Sequence, residues 1–156
     1  MSVTAWRIVK RKNEKAAFSG EGARLYGGRW NSPGTAMVYS AQSRSLAVLE
    51  MLVHLDAAEL LDKYVFFEIT VDESLILVLA EGDLPRNWQA NPAPSRLQLI
   101  GDAWAESNAS VALRVPSSVI PAEFNYLLNP KHAEFAKVRI GEATPFRYDA
   151  RLAERK

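Results

Sequence analysis

Only two segments of this chain carry a helical pattern, residues 43–55 and 95–107, and they interrupt a series of short strand-like segments. That order most constrains the fold. TAWRIVK (4–10), rich in β-branched and aromatic residues, reads as a first strand, and AMVYSA (36–41), YVFFEITV (64–71), LILVLA (75–80) and SVALRVPS (110–117) read as further strands. EFNYLLNP, FAKVRI and FRYD add further short strands. Helices and strands do not alternate as in a βαβ repeat, so the reading is α+β. No internal repeat, low-complexity run or linker divides the 156 residues, which predicts one domain spanning 1–156. Two stretches read as irregular loops. SGEGARLYGGRWNSPG (19–34) holds five of the eight glycines, as expected where backbones approach closely. GDLPRNWQANPAPS (82–95) holds three of the eight prolines.

Several function classes are disfavoured at once. The net charge of +1 gives no electrostatic case for direct contact with nucleic acid or an acidic membrane. The absence of cysteine removes thiolate nucleophiles, disulfides and cysteine zinc sites, and it suits a cytoplasmic setting. MSVTAWRIVKRKNEK has no apolar core, so no signal peptide is expected, and no apolar run approaches a membrane span. GEGARLYGG places Leu25 where a G-x-G-x-x-G loop needs its third glycine, and there is no phosphate-binding G-K-[ST]. With only His54 and His132 and no H-E-x-x-H, no metal site is expected. No G-x-S-x-G elbow is present.

One residue stands out against its surroundings. SLAVLEMLVHL (45–55) is almost wholly apolar apart from Glu50. At about 100° per residue, Ser43, Glu50 and His54 share a narrow stripe beside Ala47. Either that stripe is the solvent edge of a mostly buried helix, or it faces a cleft. In a cleft the carboxylate is desolvated and needs a partner, as functional groups often do. Arg7 within a strand and Arg29 within GGRWN are also in unusual settings. An arginine in a buried strand calls for an anion. The glycine-rich loop could bring backbone N–H groups and Arg29 to a phosphate. Tyr39 could offer an aromatic face. Each has a plainer reading: Arg7 on an exposed strand face, Arg29 in a turn, Tyr39 in the core. Taken together they suit a ligand with phosphates, a flat ring and a positive centre.

Three blocks, SGEGARLYGGRWNSPG, VYSAQSRSLAVLEMLVHL and LRVPSSVIPAEFNYLLNPKH, resemble the RES-domain toxins of bacterial Xre–RES toxin–antitoxin pairs. The resemblance runs from AWRI at 5–8 to NPKH at 129–132. It implies an ADP-ribosyltransferase-like split β core with flanking helices, cradling NAD⁺. It also implies an NAD⁺-consuming activity, by hydrolysis, phosphorolysis or ADP-ribose transfer to a protein, that arrests growth. Carried onto this sequence, Arg7, Arg29, Tyr39, Glu50 and Ser117 contact NAD⁺, with Glu50, Arg29 and Ser117 as the catalytic set. Ser117 is preferred over Ser118 as the family serine. NAD⁺ is the substrate, and no further cofactor is implied. The implied partner is an Xre-like helix-turn-helix antitoxin. A homodimer and the toxin–antitoxin stoichiometry are left open. His132 could reach the site, but Asn-Pro is itself a good turn and the turn reading is preferred. A purely binding role for the chain is the non-enzymatic alternative.

Overall fold

A computed structural model describes residues 1–155. Eight strands form one sheet: β1 (Ser2–Lys10), β2 (Val38–Ala41), β3 (Tyr64–Asp72), β4 (Ile76–Val78), β5 (Ala112–Pro116), β6 (Phe124–Leu128), β7 (Arg139–Ile140) and β8 (Thr144–Phe146). Their order is β4-β5-β6-β2-β1-β3-β7, with β8 also on β3. Among the described residues only β4–β5 is parallel. β1 and β3 pair over nine residues, whereas β1 meets β2 at the single register pair Trp6↔Ala41. The sheet therefore divides there into two halves, as the expected split core requires. One apolar cluster takes Ala5, Ile69 and Val71 from one half and Val38, Ala112 and Leu128 from the other. Burying these side chains, at about 25 cal/mol per Å² of apolar surface, holds the halves together.

Three α-helices flank the sheet: α1 (Glu21–Tyr26), α2 (Arg44–Leu52) and α3 (Ser95–Ser107). The reading of 19–34 as wholly irregular misses α1, a six-residue helix framed by Gly20 and Gly27, both at positive φ. The surrounding glycines hide so short a helix, although Glu21, Ala23, Arg24 and Leu25 are themselves good helix formers. α2 starts where the Ser43 hydroxyl accepts the Leu46 N–H at 3.1 Å, and it buries Leu46 and Ala47 against Ile8, Phe66 and Tyr64. It ends at Leu52, short of the expected 55. α3 matches its expected span, begins after Pro94, and ends where Asn108 turns left-handed. Leu97, Gly101 and Trp104 form its buried stripe, packed on Trp30, Leu113 and Leu127. The strand expected over FRYD lies earlier, at Thr144–Phe146, where it pairs with Tyr64–Phe66.

Candidate active site

Glu50 faces inward. The solvent side of α2 carries Arg44, Ser45 and Leu49, whereas Glu50 is half-buried. Its Oε1 accepts the Ser117 hydroxyl at 2.6 Å. The stripe expected from Ser43 to His54 does not exist as such. Ser43 is the helix cap, and His54 lies exposed beyond the helix end, because the turn at Val53–Leu55 leaves the helical path. Ser117 is fully buried just past β5, and its Oγ also accepts the backbone N–H groups of Val119 and Ile120 at 3.1 and 3.0 Å. With its lone pairs so occupied, its proton can go only to Glu50. Among the described residues, the neighbouring Ser118 makes no side-chain hydrogen bond and is half-buried.

Arg29 sits on a four-residue turn closed by the Gly28 N–H to Asn31 carbonyl bond at 2.9 Å. Trp30, 2% exposed, anchors the turn beneath α3. From β2, the Tyr39 hydroxyl accepts the Trp30 N–H at 3.0 Å and donates to Asn31 Oδ1 at 2.6 Å. Burial raises the Tyr39 pKa further above its usual value, so the phenol keeps the proton it donates. Gly28 is required here, since a Cβ would stand 2.7 Å from that hydroxyl. Fully buried Asn31 donates to the carbonyls of Ala23, Ser32 and Thr35. Nη1 of Arg29 donates to the carbonyls of Trp88 and Ala90 at 3.0 and 3.1 Å. Its Nε and Nη2 have no protein partner among the described residues.

Arg7 is held in place without a carboxylate. Its Nε donates to the Ala17 carbonyl at 2.6 Å and its Nη1 to the Tyr39 carbonyl at 2.8 Å. The anion expected for a strand arginine is thus replaced, within the protein, by two carbonyls. Burial lowers the Arg7 pKa to about 10. Arg7, Tyr39 and the Arg29 turn form one connected set, and Glu50 and Ser117 another. Strand register relates them. Tyr39 lies opposite Leu127 and Leu127 opposite Leu113, on the face that continues through Val115 toward Ser117. Ala41, on the same face as Tyr39, packs under α2.

His132 lies elsewhere, as the turn reading has it. Its Nε2 meets the Asn108 carbonyl at 2.9 Å and its Nδ1 accepts the Glu134 N–H at 3.0 Å. It lines a cavity of about 480 Å³ with Ser110, Lys131 and Glu134, which none of Arg7, Arg29, Tyr39, Glu50 or Ser117 borders. Several residues at the site escaped the sequence reading. Asn31, Gln98 and Asp102 hold the Arg29 turn; the last two are spaced i, i+4 beside the apolar stripe of α3, a signal present but unread. Arg114, in β5, has a buried Nε with no hydrogen-bond partner among the described residues and lies 4.1 Å over the Phe124 ring. The criterion that drew notice to Arg7, an arginine in an apolar strand, applies equally to it.

A profile of the RES domain matches residues 4–149. The chain belongs to the RES-domain family. Among its RES relatives, the protein named Toxin Res from Yersinia enterocolitica is 42% identical over 94% of this chain and 97% of its own length. A Toxin Res from Photorhabdus laumondii is 41% identical over 97% of both chains. The Prs ADP-ribosylating toxin of Sphingobium sp. strain YBL2 is 39% identical over 97% of this chain and 98% of its own. In fold, this RES chain resembles a chain of the crystal structure of the M. tuberculosis MbcT–MbcA toxin–antitoxin complex. The TM-score is 0.76 at 20% identity, over 99% of this chain and 88% of that one. No helix among the described residues is long and apolar enough to cross a membrane.

Proposed function

We propose that this chain is the toxin of a toxin–antitoxin pair and that it cleaves the nicotinamide N-glycosidic bond of NAD⁺. The observation that carries the reading is the 2.6 Å hydrogen bond from buried Ser117 to half-buried Glu50, which fixes a carboxylate at the end of β5. In the reaction the C1′–N bond breaks and its electron pair leaves on nicotinamide, which becomes neutral. Positive charge develops on the ribose, and the fixed Glu50 carboxylate stabilises it. Water or phosphate then bonds to C1′, and in hydrolysis the water's second proton is released, with Glu50 placed to accept it. Ser117 orients the carboxylate and performs no attack. The Nε–Nη2 edge of Arg29 matches a pyrophosphate as a bidentate donor. Arg7 contributes the charge at the split between the half-sheets, and we assign to the Tyr39 ring the contact with the nicotinamide.

Glu50→Gln keeps the shape of the side chain and removes its charge. Expressed without a partner, the wild type should deplete cellular NAD⁺ within minutes, and the variant should do so at least about a hundredfold more slowly with an unchanged melting temperature. Depletion by Glu50→Gln at the wild-type rate would refute the assignment. The name of the Sphingobium relative favours a second reading, transfer of ADP-ribose to one host protein. NAD⁺ labelled in the ADP-ribose part distinguishes them, because transfer leaves label on a discrete protein band while bulk NAD⁺ falls little. An enzyme that destroys NAD⁺ needs a neutralising partner, and we assign that role to a helix-turn-helix antitoxin.

A further inference from the structure

The hydrogen bonds that hold Arg29 come from α3 as well as from β2. Asp102 Oδ1 accepts the Ser32 N–H at 3.0 Å, and its other oxygen accepts the Ser32 hydroxyl. One turn earlier on the helix, Gln98 Nε2 donates to the carbonyls of Gly28 and Asn31, each at 3.1 Å. These bonds grip the backbone on both sides of Arg29. Between them lies Gly101, where a Cβ would fall 1.6 Å from the Trp30 carbonyl oxygen. The turn therefore rests directly on the helix backbone. Arg29 has no carboxylate partner among the described residues. Its side chain is tied only to two carbonyls of the 88–90 loop, so its place depends on the turn beneath it.

We infer that Gln98 and Asp102 are positioning residues that set the affinity of the site for a dinucleotide pyrophosphate. They do so by latching the Gly28–Asn31 turn to α3 and thereby aiming the free edge of Arg29. The inference rests on the NAD⁺-cleaving reading for the ligand, while the latch stands on the geometry alone. A phosphate group far from the breaking bond is held alike in the ground and transition states. Loosening its arginine therefore raises KM and leaves kcat. Loss of general stability, by contrast, lowers the active fraction and with it the apparent kcat.

Gln98→Glu tests this with no change of shape, because it sets a carboxylate oxygen against two carbonyl oxygens. Gln98→Ala serves should that variant not fold. The KM for NAD⁺ should rise about tenfold with kcat within about twofold, the split expected for lost uniform binding. Amide exchange across 28–32 should quicken, while that of β1 and β3 stays as in the wild type. A variant with wild-type KM and wild-type exchange in the turn overturns the inference, as does one in which kcat falls and KM holds. Measuring the wild type alongside separates two failures. No NAD⁺ loss by the wild type defeats the functional reading, whereas normal wild-type turnover with an unmoved variant KM defeats this inference alone.

Discussion

At the scale of single residues, the chain spends its buried polar groups on orientation. Ser117 could be mistaken for a nucleophile, yet it accepts two backbone N–H groups and donates to Glu50, so every part of the hydroxyl is in use. Ser117→Ala removes the donor that fixes Glu50 and leaves both N–H groups without that acceptor. It should cost about 1–2 kcal/mol of stability in denaturant unfolding. It should also lower kcat by about tenfold, since it misplaces the charge-stabilising group without deleting it. A kcat loss as complete as that of Glu50→Gln would instead point to direct participation in the chemistry. Tyr39 follows the same logic: its hydroxyl holds the Arg29 turn, and its ring packs against the cluster that contains Trp30 and Leu127.

At the scale of elements, α2 and β1 each answer to neighbours that their own sequences do not name. α2 hangs between its Ser43 cap and the apolar contacts of Leu46 and Ala47, and this rotation brings Glu50 toward Ser117. β1 is tied at its far end to the short helical turn Glu59–Leu61 by Lys10, whose Nζ lies 2.8 Å from Glu59 and 3.3 Å from Asp62. The hydrogen bond from Lys10 holds the Glu59 pKa below its ordinary 4.5, and the bond to Glu59 raises that of Lys10 above 10.5. A depressed carboxylate contributes fully above its unfolded pKa and loses that contribution as pH falls through the native one. The raised lysine contributes fully below its unfolded pKa and loses its contribution as pH climbs through the native one. Glu59→Gln should therefore lower the melting temperature by at most a few degrees at neutral pH, because the pair is only half-buried and still screened by solvent. The difference should close in strong acid. A gap that persists there would show that the ion pair is not its source.

At the scale of the whole molecule, the decisive feature is the split between β1 and β2. A continuous sheet would pair these strands along their length, but only Trp6↔Ala41 is in register. Arg7 spans the opening: it leaves β1 and donates to the Tyr39 carbonyl on β2. It is therefore a brace between half-sheets as well as a candidate ligand contact. Arg7→Lys keeps the charge but cannot reproduce both bonds of the planar fork. We expect a loss of about 1–2 kcal/mol in unfolding together with a higher KM for NAD⁺. A variant of unchanged stability would confine Arg7 to the ligand.

Much of this was legible in the chain itself. The α+β class, the span of α3 and the candidate status of Glu50 followed from periodicity and from one charge in an apolar run, because burial patterns are local. The RES blocks supplied the family and singled out Ser117. What the sequence left open at Glu50 was its direction, since a helical wheel has no fixed rotation until something packs against it. Contacts with Ile8, Phe66 and Tyr64, far apart in the chain, set that rotation and turned the carboxylate to Ser117, 67 residues away. The Arg29 turn was undecided for the same reason. GGRWN specifies a flexible backbone, and only Tyr39 from one strand and Gln98 with Asp102 from a helix some 70 residues on convert that flexibility into a fixed position. Local sequence determines what each segment can form; long-range packing and hydrogen bonding, which no local pattern encodes, decide where its side chains point.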